Sequence, residues 1–248
     1  MTEFFLVLAL VALPALGNFG GGLFAEFFPL PARAVSLALH AAAGIVLAVV
    51  GLELMGRAIE VEHAWLVVGT FVLGGVGYYY LEKGVGIVRR RFGGGAEGDS
   101  PWMIYLGVSV DLFSDGVLIG SGSTVALTFG LLLALAQMPA DIPEGFAALA
   151  AMKRFEKRRT RRLWLSAAFA IPIVLGATLG YWLMRGQPDF VKFALISFTA
   201  GILTTVSVEE MVLTAHNSPG RYRAGEDPLE GVALVAGFGL FGLLSAYT

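Results

Sequence analysis

A chain of 248 residues that is 56% hydrophobic and 15% charged, with a mean hydropathy of +0.75, carries more apolar surface than a soluble domain can bury, since such domains are roughly one-quarter charged. A formal net charge of −2 excludes a broad basic surface for nucleic acid and an extended acidic tail. The absence of cysteine excludes disulfides and thiolate ligands, so any metal must be held by oxygen or imidazole.

Mainly apolar runs of roughly 20 residues, the length that crosses a bilayer, recur along the whole chain and predict an all-α membrane protein forming one domain over 1–248. The first predicted helix, 4–28, follows Met1-Thr2-Glu3 directly, without the basic region and small-residue cleavage site of a signal peptide. The second, 34–55, contains His40, read as a core group, and closes with Glu53. The third is 64–81. It is followed by a glycine- and arginine-rich stretch, 89–100, that reads as a flexible loop. The fourth and fifth, 102–122 and 125–152, are joined by a very short turn and carry most of the acids found inside apolar sequence. The sixth and seventh are 163–184 and 190–213, the latter closing with Glu209 and Glu210. A polar segment, 217–227, leads to the eighth, 232–247. His63 and His216 sit at helix ends and read as interfacial.

Basic residues orient this series. The connections after helices one, three, five and seven hold 14 of the 17 lysines and arginines, leaving Arg57, Arg185 and Lys192 on the opposite side. By the positive-inside rule those four connections are cytoplasmic and both termini are outside, as in a multi-pass protein of the plasma membrane. Helix two contains Ala43-Gly44-Ile45 and then Glu53. Helix seven contains Ala200-Gly201-Ile202 and then Glu210, at the same spacing but running the other way through the membrane. The pattern predicts an inverted repeat, with a site near the midplane between the halves.

That site is expected on helices four and five. Asp111, Asp115, Asp141 and Glu144 lie within apolar sequence, where each charge costs about 3 kcal/mol to insert. Asp111 and Asp115 are four apart and Asp141 and Glu144 three apart, so each pair shares one helical face. Left alone, four such acids repel one another and take up protons. A divalent cation supplies the missing countercharge. Gln137 and Ser114 can add neutral oxygens. Pro139 and Pro143 are expected to break helix five and free the carbonyls of Leu135 and Pro139. Glu53, Glu209 and Glu210, toward helix ends, read either as solvated acids or as residues that admit and release the ion.

Asp111-Leu112-Phe113-Ser114-Asp115-Gly116 and Asp141-Ile142-Pro143-Glu144-Gly145 resemble the paired motifs of the ZIP family of metal transporters. In that family the fourth helix typically carries a histidine followed by an amide or hydroxyl residue, then an acid and glycine. The fifth typically reads His-x-Ile-Pro-Glu-Gly. The resemblance implies an eight-helix bundle of three, two and three helices with inverted repeats. It also implies a carrier rather than an enzyme, taking zinc, iron, manganese or cadmium as substrate toward the cytoplasm, often as a homodimer in the lipid bilayer. Asp111 replaces the first family histidine, Ala140 the second, and Leu112 stands where the family offers a neutral ligand. Loss of both imidazoles shifts the expected preference toward harder cations. Two other readings compete with transport: a metal-binding sensor that moves nothing, and an intramembrane aspartyl protease, against which the lack of a Gly-x-Gly-Asp segment argues.

Overall fold

In the computed structural model, which describes residues 2–59, 64–92, 101–153, 155–212 and 228–246, the chain forms an all-helical membrane bundle without strands among the described residues. Its helices are α1 (Thr2–Phe27), α2 (Ala32–Ala58), α3 (Ala64–Phe92), α4 (Pro101–Val125), α5 (Leu127–Met152), α6 (Arg159–Met184), α7 (Asp189–Val206) and α8 (Pro228–Ala246). Within α2 the segment Val49–Leu54 is π-helical, and α7 continues into a π-helical turn over Ser207–Val212. Helices α1, α2, α6, α7 and α8 are long and apolar enough to cross a membrane by themselves. The acids and amides of α4 and α5 lower the hydropathy of those two, which their neighbours enclose.

Three differences from the sequence expectation have physical causes. Helix α5 runs unbroken from Leu127 to Met152 through Pro139 and Pro143, because packing against α1, α2 and α4 holds the backbone on course despite two lost amide donors. Departures from α geometry fall instead at Phe169, a turn residue within α6, and toward the ends of α2 and α7. Helix α3 extends to Phe92 and α6 starts at Arg159, so Arg89 to Arg91 and Arg159 to Arg162 are helical rather than in loops; arginine is a good helix former. Of the predicted flexible stretches, 89–100 and 217–227, residues 93–100 and 217–227 lie outside the described residues, as do His63 and His216.

Lipid is as apolar as leucine, so helix association here depends on close van der Waals fit, and small residues permit it. Between α1 and α5 a side chain on Gly21 would strike the Ile142 carbonyl, and one on Gly145 the Asn18 carbonyl. Between α2 and α8 Gly44 abuts Leu234 and Gly237 abuts Ala41 in the same reciprocal manner. Helices α4 with α6, and α3 with α7, meet likewise. Two sets of four helices result: α1, α4, α5 and α6, and α2, α3, α7 and α8. Their main contacts are α2 against α5 and α4 against α7. Leu112, Leu118, Leu133, Ile173, Ile196 and Leu203 fill the interior.

One end of the first set is tied by charge. Arg162 of α6 donates from Nε to Glu26 Oε2 at 3.1 Å and from an Nη to Glu26 Oε1 at 2.5 Å, with both side chains buried. Its other Nη reaches the Glu156 carbonyl at 2.8 Å, and Lys153 Nζ donates to the Ala25 carbonyl at 2.6 Å. The ends of α1, α5 and α6 thereby form one junction.

Candidate metal centre

A single extended residue, Ala126, separates α4 from α5, so the two helices fold back on each other as an antiparallel hairpin. Positions equidistant from the turn therefore face one another. Asp115 and Gln137 are such a pair, and the Gln137 amide donates to an Asp115 carboxylate oxygen across the hairpin. The i, i+4 spacing brings Asp111 one turn away from Asp115, and Gln137 and Asp141 are related in the same way on α5.

All four acids are buried. Asp115 and Asp141 are each 1% exposed, Asp111 is 3% and Glu144 is 9%. Asp111 lies within electrostatic reach of both Asp115 and Asp141, and Asp115 within reach of Asp141, so three carboxylates from two helices share one low-dielectric region. Asp115 and Asp141 form no ion pair with any lysine, arginine or histidine among the described residues, and one oxygen of Asp141 accepts no hydrogen bond. Ser114 is buried beside them and donates its hydroxyl to the Val110 carbonyl at 2.9 Å, within its own helix. Among the described residues no three His, Cys, Asp or Glu side chains converge into a closed ligand cage. What α4 and α5 bring together is a shared buried pocket of negative charge. Ala140 is buried on α5, one turn before Glu144, where an imidazole would stand in the family pattern.

The acids at helix ends have separate fates. Glu53 is in the π-helical segment of α2 and is buried, accepting from Arg57 Nε at 3.0 Å and from the Ser245 hydroxyl of α8. Glu209 is exposed, and the Glu210 side chain lies outside the described atoms. His40 is buried as expected. Its Nδ1 is 2.8 Å from the Ser36 carbonyl and its Nε2 is 3.9 Å from Glu230 of α8, whose other oxygen accepts from the Ser36 hydroxyl at 2.6 Å.

Several buried polar residues escaped the sequence reading, among them Glu26, Glu230 and Asn18. Asn18 of α1 is fully buried against α5 at Gly145, and neither atom of its side-chain amide has a hydrogen-bond partner. A lone asparagine in an apolar span was the available signal, because such a group is costly to insert without a use.

Fold and site together define a multi-pass membrane protein with an acid-lined centre enclosed by its other helices. The family model described as ZIP Zinc transporter matches residues 94–245, which includes α4, α5 and both acidic motifs, and the chain belongs to that family. It is 26% identical over 150 residues to the proteins named Zinc transporter ZIP6 from Homo sapiens and from Pongo abelii, over 59% of this chain. The matched region is about a fifth of the length of those relatives, 20% of each.

Proposed function

We propose that the chain is a divalent metal cation carrier that imports its ion toward the cytoplasm. The observation that carries this reading is the buried carboxylate group of Asp111, Asp115 and Asp141 on the α4–α5 hairpin, with Glu144 on α5 and, among the described residues, no cationic side chain paired to Asp115 or Asp141. Such a group has little structural value in a membrane, because like charges in low dielectric oppose the fold that holds them. A dication turns repulsion into attraction. Asp111, Asp115, Asp141 and Glu144 would ligate it, with Gln137 and Ser114 as neutral oxygens that orient the set. Both names of the matched relatives specify zinc. In this chain an all-oxygen set favours harder ions over those that prefer imidazole, within the zinc, iron, manganese and cadmium class.

An inverted-repeat carrier is supported by the likeness of α2 and α7. Each follows an extended proline, Pro31 or Pro188, reaches a glycine seated on a neighbouring backbone, Gly44 or Gly201, and ends in a π-helical segment with a glutamate. Exchanging α1 with α6, α2 with α7, α3 with α8 and α4 with α5 leaves the pattern of helix contacts unchanged. The basic connections put the Arg57 end outside the cell and the Arg162 end in the cytoplasm. Glu53 and Glu209 or Glu210 then stand near opposite faces, suited to admitting and releasing the ion.

Metal flux into proteoliposomes tests the reading. Uptake of Mn or Zn that is lost in Asp115→Asn supports it. Binding without flux would identify a sensor, and cleavage of a helical peptide a protease.

A further inference from the structure

At the outer end of the seam between the two sets of four helices stands a cation that the metal centre does not use. Arg57, in the last turn of α2, donates from Nε to Glu53 Oε2 at 3.0 Å, and its guanidinium carbon lies 4.9 Å from the centre of the Phe129 ring on α5. The Arg57 side chain is 53% exposed, whereas Glu53 is buried to 7% and its second oxygen accepts from Ser245. One guanidinium thus covers a buried carboxylate and bridges α2 to α5. Beside it lies an open groove of about 260 Å³ with Phe129 and Leu132 buried at its base and Arg57, Thr128, Leu131 and Leu135 exposed along its rim, which follows the outer half of α5 to within two residues of Gln137.

The contacts are strong enough to select a position and weak enough to be undone. An exposed ion pair and a single cation–π contact are individually modest. The carboxylate that Arg57 covers, with the Ser245 hydroxyl, is an all-oxygen group that a dication contests more effectively than a monovalent ion can, because the attraction scales with charge.

We propose that Arg57 is a tethered countercation that closes this seam: it holds Glu53 and Phe129 until a divalent cation arriving on the same side displaces it, releasing α2 from α5 at that end. The inference rests on the carrier reading above and makes Arg57 a positioning residue for it. The ion is admitted only when it can take over the Glu53 carboxylate.

The chain has no cysteine, so introduced thiols report without background. Three measurements on the full chain test the proposal. In Mn uptake by proteoliposomes, Arg57→Gln should lower the half-saturating concentration about threefold, as expected for losing one exposed competitor, and also lower the maximal rate. Arg57→Lys, which keeps the charge, should stay near wild type in half-saturation. Unchanged kinetics in Arg57→Gln, or Lys behaving like Gln, overturns the proposal. In Arg57→Cys/Thr128→Cys a short bifunctional methanethiosulfonate should stop uptake until reductant restores it, and uptake that continues across the bridge argues against any opening of this seam. Finally, Leu132→Cys, at a groove-lining position that is buried in this structure, should react faster with a membrane-impermeant thiol reagent when Arg57→Gln is also present, and equal rates overturn the closure. This labelling needs no transport. If wild type moves none of Mn, Zn, Fe and Cd, the carrier reading fails, and labelling alone decides whether Arg57 closes the seam.

Discussion

Two buried acidic regions of this molecule are built on opposite plans. At the junction of α1, α5 and α6, Glu26 is met by Arg162 through two hydrogen bonds, with Arg159 at 3.8 Å. At the α4–α5 centre Asp115 and Asp141 face other carboxylates, and the contact supplied to Asp115 is a neutral amide. The first region is complete as folded, whereas in the second no cationic side chain among the described residues is paired to Asp115 or Asp141, so that an added cation or protons would offset their charge. Burial alone therefore does not mark a functional acid. The contrast lies in whether the fold supplies the countercharge.

The largest expected effect separates the two regions directly. Asp115→Asn or Glu144→Gln should reduce metal flux to background while leaving the thermal transition of the metal-free protein unchanged or raised, since each removes surplus charge and preserves shape. Wild-type flux in both variants would sink the assignment of the centre.

Arg162→Ala should do the reverse. Removing one partner of a buried pair costs about 3–5 kcal/mol because the other charge is stranded. Denaturation in detergent should show this loss, and the double change Glu26→Leu with Arg162→Met should recover most of it. If the single and double variants are equally destabilised, the junction is held by packing rather than by charge.

Acidity sharpens the comparison next. Metal ligands must be deprotonated to bind, so falling pH sets protons against the ion at the α4–α5 centre. Metal affinity should weaken from pH 8 to pH 5, by about one decade per pH unit for each proton released on binding, and binding should acidify a weakly buffered solution. Affinity flat over that range would contradict the surplus-charge account.

A smaller effect concerns which ion is chosen. Ala140→His combined with Asp111→His exchanges oxygen for nitrogen ligands and should raise the zinc-to-manganese binding ratio by about tenfold, equivalent to about 1.4 kcal/mol. Because Ala140 is buried, the readout is the ratio of affinities in folded protein and not total activity. An unchanged ratio means that positions 111 and 140 do not face the ion. The smallest effect belongs to Glu209, which is exposed: Glu209→Gln should slow uptake less than about twofold, the scale of one surface charge.

Much of the architecture is legible in the residue order. Apolar runs of membrane-crossing length mark the helices because a spanning segment must satisfy its own backbone, leaving little choice of structure. The acids of α4 and α5 are likewise legible, since helical spacing places Asp111 with Asp115 and Asp141 with Glu144 whatever surrounds them. Gln137 was legible as a polar neighbour of Asp141, but its bond to Asp115 depends on the single-residue turn that sets the register of the hairpin.

What the sequence by itself determined is thus the helices, the chemical character of the centre and its likeness to the ZIP motifs, all of which depend on near neighbours in the chain. Only the tertiary structure decided that Arg162, which reads as one more loop cation, is buried on Glu26, 136 positions away. It also decided that Glu53 is covered by Arg57 and joined by Ser245, 192 positions away, that Asn18 is sealed against α5, and that α5 stays helical through two prolines. The physical reason is common to these cases. Whether a polar group is paired, stranded or exposed depends on which helices meet, and here that follows from glycines fitting against backbones far away in the chain, a match that local spacing does not contain.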